Sequence, residues 1–137
     1  MTPASTLKQA IDDLFDHRLA AEEALDRHFS GSFRQRVNGD WLDRSAFLAG
    51  IIRFREIVES ATVTVLDEFV DGDRYAERHV VDLRKRDGSR IRQEVYVFAQ
   101  RDADSRFVCI EEMSLPLEWR QGTGEKVSGS NDAPASG

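Results

Sequence analysis

Glu77 and His79 stand two residues apart in YAERHVVDL, residues 75–83, and a third candidate, Glu112, lies in RFVCIEEM, residues 106–113. Histidine titrates near neutral pH, and a carboxylate among apolar groups has its pKa raised by desolvation, so such a set can move a proton at neutral pH. In an extended chain alternate side chains share a face. Tyr75, Glu77, His79, Val81 and Leu83 therefore form one row, and Ala76, Arg78, Val80 and Asp82 the other. A strand with one wet face separates polar from apolar residues. An acid and a histidine in line with Val81 and Leu83 suit a row that lines a cavity.

Other chemistry finds little support. The single cysteine, Cys109, has no neighbouring His, Lys or Asn in RFVCIEE and reads as a buried small hydrophobe. His17 and His28 are eleven residues apart, about 16 Å on a straight helix, too far to share a metal. No His, Cys or Asp spacing suggests a metal site. Gly122 and Gly124 precede no helix, so they form no phosphate loop. The expectation is chemistry without a cofactor or metal.

The elements that must position these residues can be read from periodicity. STLKQAIDDLFDHRLAAEEALDRHFS has helical spacing, with Ser5 or Thr6 as cap and a break near 17–20 that divides it into two helices. SFRQRVNGDW reads as a short strand entering an Asn-Gly turn. Asp43 then caps a helix whose apolar stripe is Phe47, Leu48, Ile51, Phe54, Ile57 and Val58. From Ala61 the period changes to alternation, with strands expected over 61–70, 74–86, 89–101 and 106–115, joined by DGD, DG and DADS. Helices followed by an antiparallel meander make an α+β domain with helices on one face of the sheet. We place the domain at residues 1–120 and a flexible tail, rich in Gly, Ser, Asn and Pro, at 121–137.

The hairpin at Asp87-Gly88 decides which residues meet. A two-residue loop sets His79 opposite Tyr96; a bulge at Gly88 slips the pairing by one. The slipped register sorts side chains better. It gathers Glu77, His79, Val81 and Leu83 with Gln93, Val95, Val97 and Ala99, and then with Val108, Ile110, Glu112 and Ser114. In it Val95 neighbours Val81 and Glu112, and His79 lies diagonally from Glu112, about 7 to 8 Å or more away. A histidine aimed at such a cavity should matter little for stability. The opposite face receives Arg78, Asp82, Arg84, Arg92, Glu94 and Glu111 with Val80, Tyr96, Phe98, Cys109 and Met113, an apolar middle suited to a second subunit.

FRQRVNGDWLDRSAFLAGI, GDRYAERHVVDLRKRDGSR and SRFVCIEEM, in that order and spacing, resemble the SnoaL-like branch of the nuclear transport factor 2-like superfamily over residues 5 to 118. The resemblance implies a cone-shaped fold whose helices and curved antiparallel sheet enclose a pocket, commonly as a dimer through the outer sheet face. It also implies an activity of the cyclase, isomerase, dehydratase or hydrolase kind, or binding alone. The epoxide hydrolase pattern falls on His79, Val81 and Glu112, and the ketosteroid isomerase aspartate falls on Val97. Neither set is complete, so neither specific activity carries over.

The expected site has His79 and Glu112 in catalytic roles, with Glu77, Val81, Gln93, Val95, Val97 and Ile110 lining the pocket and Trp41 over its mouth. Its ligand is an unidentified small, largely apolar molecule. The alternative is a non-catalytic binding or dimeric association module. With 25 acidic and 19 basic residues and a net charge of −6, the chain lacks the excess cation of a nucleic-acid binder. The cluster Arg84, Lys85, Arg86, Arg90 and Arg92 reads as a solvated hairpin tip. The N-terminus lacks the charged start and apolar run of a signal peptide, and no stretch reaches the ~20 apolar residues of a membrane span, so a cytoplasmic protein without membrane contact is expected.

Overall fold

The structure, a computed structural model, describes residues 4–119 and 126–128. Helix α1 (Leu7–Leu14) begins in a reciprocal cap. The Thr6 hydroxyl accepts from the Gln9 backbone N–H, and the Gln9 side-chain oxygen accepts from the Thr6 N–H. Its last turn contains no basic residue. Arg55 of another helix supplies the missing cation, donating to the carbonyls of Leu14, Leu19, Asp13 and Asp16. One guanidinium thereby closes the C-terminal end of α1 and holds the following connection, a task that needs a rigid fork of donors.

Helix α2 (Ala21–His28) follows the expected break and runs directly into strand β1 (Phe29–Val37). Asn38 and Gly39, at φ 49° and 96°, form the tight turn to β2 (Asp40–Asp43). The Asp43 carboxylate accepts from Ala46 N–H at 2.8 Å and starts α3 (Arg44–Ile57). Of the stripe expected on α3, Ile51 is buried and Phe47 and Leu48 pack partly against the core. Phe54 and Ile57 are instead about half exposed, at 48% and 49%. The final turn of α3 leaves the core as it passes without a loop into β3 (Val58–Asp71).

The meander continues as β4 (Arg74–Lys85), β5 (Arg90–Arg101) and β6 (Phe107–Trp119), and β7 (Lys126–Ser128) pairs with the end of β6. The rest of the expected tail lies outside the described residues. The sheet order is β2-β1-β6-β5-β4-β3, antiparallel except where β1 lies parallel to β6. The helices cover one face of this curved sheet, giving the expected α+β architecture. Between the two layers Phe29 packs on Phe33, Phe47 and Phe107, with ring centroids 4.7, 5.3 and 6.0 Å apart. Leu25, Ile110 and Val97 extend the same core.

Gly88 at φ 91° produces the slipped register, so His79 faces Val95, Val81 faces Gln93 and Glu77 faces Val97. Two details of the expected row are corrected. Val95 lies between His79 and Ser114 rather than between Val81 and Glu112, and Val97 stands between Glu77 and Glu112. A register shift after Gln100 also passes over Val108 and gives the buried place to Phe107. The basic hairpin tip has a structural duty as well. Arg86 donates to the carbonyls of Arg55 and Glu56 through its side chain, and to that of Ile57 through its N–H, closing the end of α3.

Candidate functional site

Alternation along β4 directs Tyr75, Glu77 and His79 to the helix-covered face, and all three are buried there. Glu77 is 4% exposed and His79 2%. They pair with each other: His79 Nδ1 lies 2.6 Å from Glu77 Oε1. The second carboxylate oxygen of Glu77 is buried with no hydrogen-bond partner, and His79 Nε2 makes no hydrogen bond among the described residues. A buried polar atom left unsatisfied is uncommon and calls for a functional or solvent partner.

Glu112 reaches the same face from β6, two strands from Glu77 and diagonal to His79. Its carboxylate accepts from Gln35 Nε2 at 2.9 Å. Burial pushes the Glu112 carboxyl above its ordinary pKa and the nearby charge of Glu77 adds to this, while the Gln35 hydrogen bond and His79 oppose it. A histidine oriented by a carboxylate can accept a proton, and a carboxyl raised in this way can give one.

A carboxyl whose folded pKa lies above its unfolded value stabilises the fold fully below the unfolded pKa, and that contribution is lost as pH rises through the folded pKa. Glu112→Gln, which keeps a hydrogen-bonding group beside Gln35, should therefore be more stable than the parent at pH 7. The advantage should shrink on acidification toward the ordinary glutamate range. Urea denaturation across pH measures it; a variant less stable at pH 7 but equal at low pH would show the reverse shift.

Gln35 and Glu68, absent from the sequence reading, and Tyr75, which alternation had placed in this row, lie on this side of the sheet. Gln35 is the partner of Glu112, and its alternation with the buried Phe33 was the available signal. Tyr75 donates its hydroxyl proton to Glu68 in a short hydrogen bond and accepts from Leu7 N–H at 3.0 Å, tying the start of α1 to the sheet. Burial, then the Glu68 hydrogen bond, holds its phenol far above the usual range. Glu68 and Glu77 are cross-strand neighbours on one face.

Of the expected lining, Val97 stands between the two glutamates, Val95 and Ile110 are buried beside it, and Val81 and Gln93 are partly buried at one end of the row. Trp41 is a correction. It pairs with Arg36 on the outer face, 47% exposed, and lies under the Arg34 guanidinium at 4.4 Å. The strand period of two assigns it to that face, away from Glu77 and His79.

Cys109 is half-buried, and burial raises its thiol pKa. His28 joins Ser5 Oγ at 2.9 Å to Asp13 at 2.7 Å in a closed bridge between the helices. Among the described residues, no group of three His, Cys, Asp or Glu is arranged to hold a metal ion. No helix among them is long and apolar enough to cross a membrane.

No family profile matches the chain and no curated protein matches it by sequence. Solved structures do. An NTF2-like protein of unknown function from Exiguobacterium sp. 255-15 aligns over 78% of this chain and 94% of its own, at 22% identity and a TM-score of 0.59. A candidate isomerase from Rhodopseudomonas palustris aligns over 83% and 91%, at 13% identity and a TM-score of 0.68. A protein of ketosteroid isomerase-like fold from Catenulispora acidiphila, in complex with trimethylamine, aligns over 79% and 85%, at 12% identity and a TM-score of 0.59.

Proposed function

The chain has the nuclear transport factor 2-like fold, and on that fold we propose that its helix-covered sheet face binds a small, largely apolar molecule and carries out cofactor-independent acid/base chemistry on it. The observation that carries this reading is the Glu77–His79 pair, buried in mid-sheet with Glu77 Oε2 unsatisfied. A buried carboxylate oxygen without a protein partner calls for a ligand or a water beside it. His79 would act as base, held by Glu77, and Glu112 as acid, with Val95, Val97 and Ile110 against the apolar body of the molecule. Reactions of the isomerase, cyclase, dehydratase and hydrolase kinds share those two proton transfers, the hydrolase adding a water and the dehydratase releasing one. The candidate isomerase of the same fold, and the fold relative that holds trimethylamine, support a pocket for small molecules.

Native mass spectrometry of freshly purified protein tests it. The expected spectrum contains the chain with a small molecule retained, and His79→Gln should lose that species. If the parent carries nothing, and no compound in a small-molecule panel raises its melting temperature, the reading fails.

A second, compatible role is association between copies of the chain. The outer face exposes Phe98 at 72% and Met113 at 67%, beside Tyr96, around a groove of about 530 Å3 bounded by Arg36, Asn38 and Glu111. Clustered apolar exposure of this kind marks an interface. Sedimentation equilibrium at micromolar concentration should give twice the chain mass, falling to one chain in Phe98→Asp/Met113→Asp. A single-chain mass for the parent removes the argument.

A further inference from the structure

The carboxylates on the two faces of the sheet are treated differently. On the outer face Glu111 meets Arg36 at 3.2 Å, Asp67 and Glu94 meet Arg78 at 2.6 and 3.4 Å, and Asp82 meets Arg92 at 3.3 Å. On the covered face Glu77 and Glu112 have no Arg or Lys partner among the described residues, and neither does Glu68, which is exposed on the edge strand beside them. The guanidinium on that face, Arg101, is committed elsewhere: it donates to the Ser5 carbonyl at 3.0 Å and lies 4.7 Å over the Tyr75 ring. His79 satisfies one oxygen of Glu77, and the other, in a side chain with no exposed surface, has no partner. The charge of Glu77 is felt by both Tyr75 and Glu112.

Such a face lacks a cation, and the shortage is centred on Glu77. A metal ion would need several oxygen or nitrogen ligands converging at bonding distance, and no such group is present among the described residues. A single ammonium centre needs less. One N–H toward Glu77 Oε2 forms a charge-assisted hydrogen bond, the strong kind, and apolar substituents on nitrogen suit Val97 and Ile110. Glu77 and Glu112 flank Val97, so their backbones are two strand spacings, about 9 to 10 Å, apart. A small ammonium group held between the two carboxyls would lie against the Val97 side chain.

Building on the small-molecule reading above, we infer that this site takes an organic amine in its protonated form: an N–H-bearing tertiary or secondary ammonium with an apolar body, its nitrogen between Glu77 and Glu112. The site discriminates by charge first and by N–H donation second. Anionic ligands are rejected because each would meet Glu77 and Glu112 with no guanidinium or ammonium paired to them.

Isothermal titration of the full chain at pH 7 tests this with four compounds sharing a benzyl body. These are N,N-dimethylbenzylamine, which is protonated; benzyl methyl ether, which is neutral; phenylacetate, which is anionic; and benzyltrimethylammonium, which has the charge without the N–H. The amine is expected to bind at least tenfold tighter than the ether, with no binding of phenylacetate and weaker binding of the quaternary ion. Glu77→Gln should lose tenfold or more in amine affinity with the ether unchanged. Should that variant not fold by circular dichroism, Glu112→Gln serves, with a smaller loss of the same selectivity. Ether or phenylacetate binding as tightly as the amine overturns the ammonium assignment and leaves the apolar-ligand reading standing. Amine affinity unchanged in both variants overturns it too, while no binding by any compound overturns both readings.

Discussion

His79→Ala is expected to lower the unfolding free energy by about 3 to 5 kcal/mol, the combined cost of leaving the buried Glu77 carboxylate without its hydrogen-bonding partner and of the cavity left by the ring. His79 is 2% exposed and is the one hydrogen-bonding partner of the Glu77 carboxylate among the described residues. Without it both oxygens of Glu77 would be buried and unsatisfied, and a space the size of the ring would open beside Val95. Joint replacement should behave differently. In Glu77→Leu/His79→Phe no buried polar group is left unpaired, and such apolar replacements are often neutral or stabilising by about 1 to 4 kcal/mol. The double variant should therefore recover parental stability or exceed it, while losing the retained small molecule. Urea unfolding of the parent, Glu77→Leu, His79→Phe and the double variant measures the coupling. A loss below about 1 kcal/mol in His79→Ala would mean that the ring faces open, wet space, as alternation alone suggested. A double variant as unstable as the single one would make the pair a structural device.

Phe29→Ala should cost a similar amount, about 3 to 5 kcal/mol, by deleting a large buried side chain and leaving a cavity. Phe29 is 1% exposed, forms the C-cap of α2, opens β1, and lies beside Phe107 in the parallel ladder. Its ring therefore joins the helix layer to two strands that are distant in sequence. The denaturation midpoint should fall with the slope against denaturant unchanged. Phe98→Ala is the matched control. At 72% exposure its loss should alter chain stability by within about 0.5 kcal/mol and should show instead in the association equilibrium. If the two substitutions have equal effects on unfolding, the assignment of inner and outer faces is wrong.

Much of the local structure follows from residue type alone. The Thr6 and Asp43 caps, the break between α1 and α2 and the Asn38-Gly39 turn each depend on a few adjacent residues, whose backbone preferences are short-range. Strand alternation likewise assigns Glu77 and His79 to one face before any neighbour is known, whereas placing Glu112 with them needs the pairing registers of two hairpins. The sequence also determined that Cys109 had no partner for a disulfide, since a single cysteine cannot form one within the chain.

Which groups then touch was decided by the tertiary structure. Glu77 and His79 share a row by alternation, but their 2.6 Å pairing depends on the helices that close over them and exclude competing water. Gln35 reaches Glu112 only because β1 returns parallel beside β6, a contact spanning 77 positions that no hairpin rule supplies. Trp41 was misplaced because its side depends on how β2 adds to that outer strand, and Val108 because a register shift in the last hairpin lets one residue pass unpaired. Periodicity carries the direction of each side chain; the partner it meets is set by pairings between distant strands, whose choice depends on burying the whole core at once.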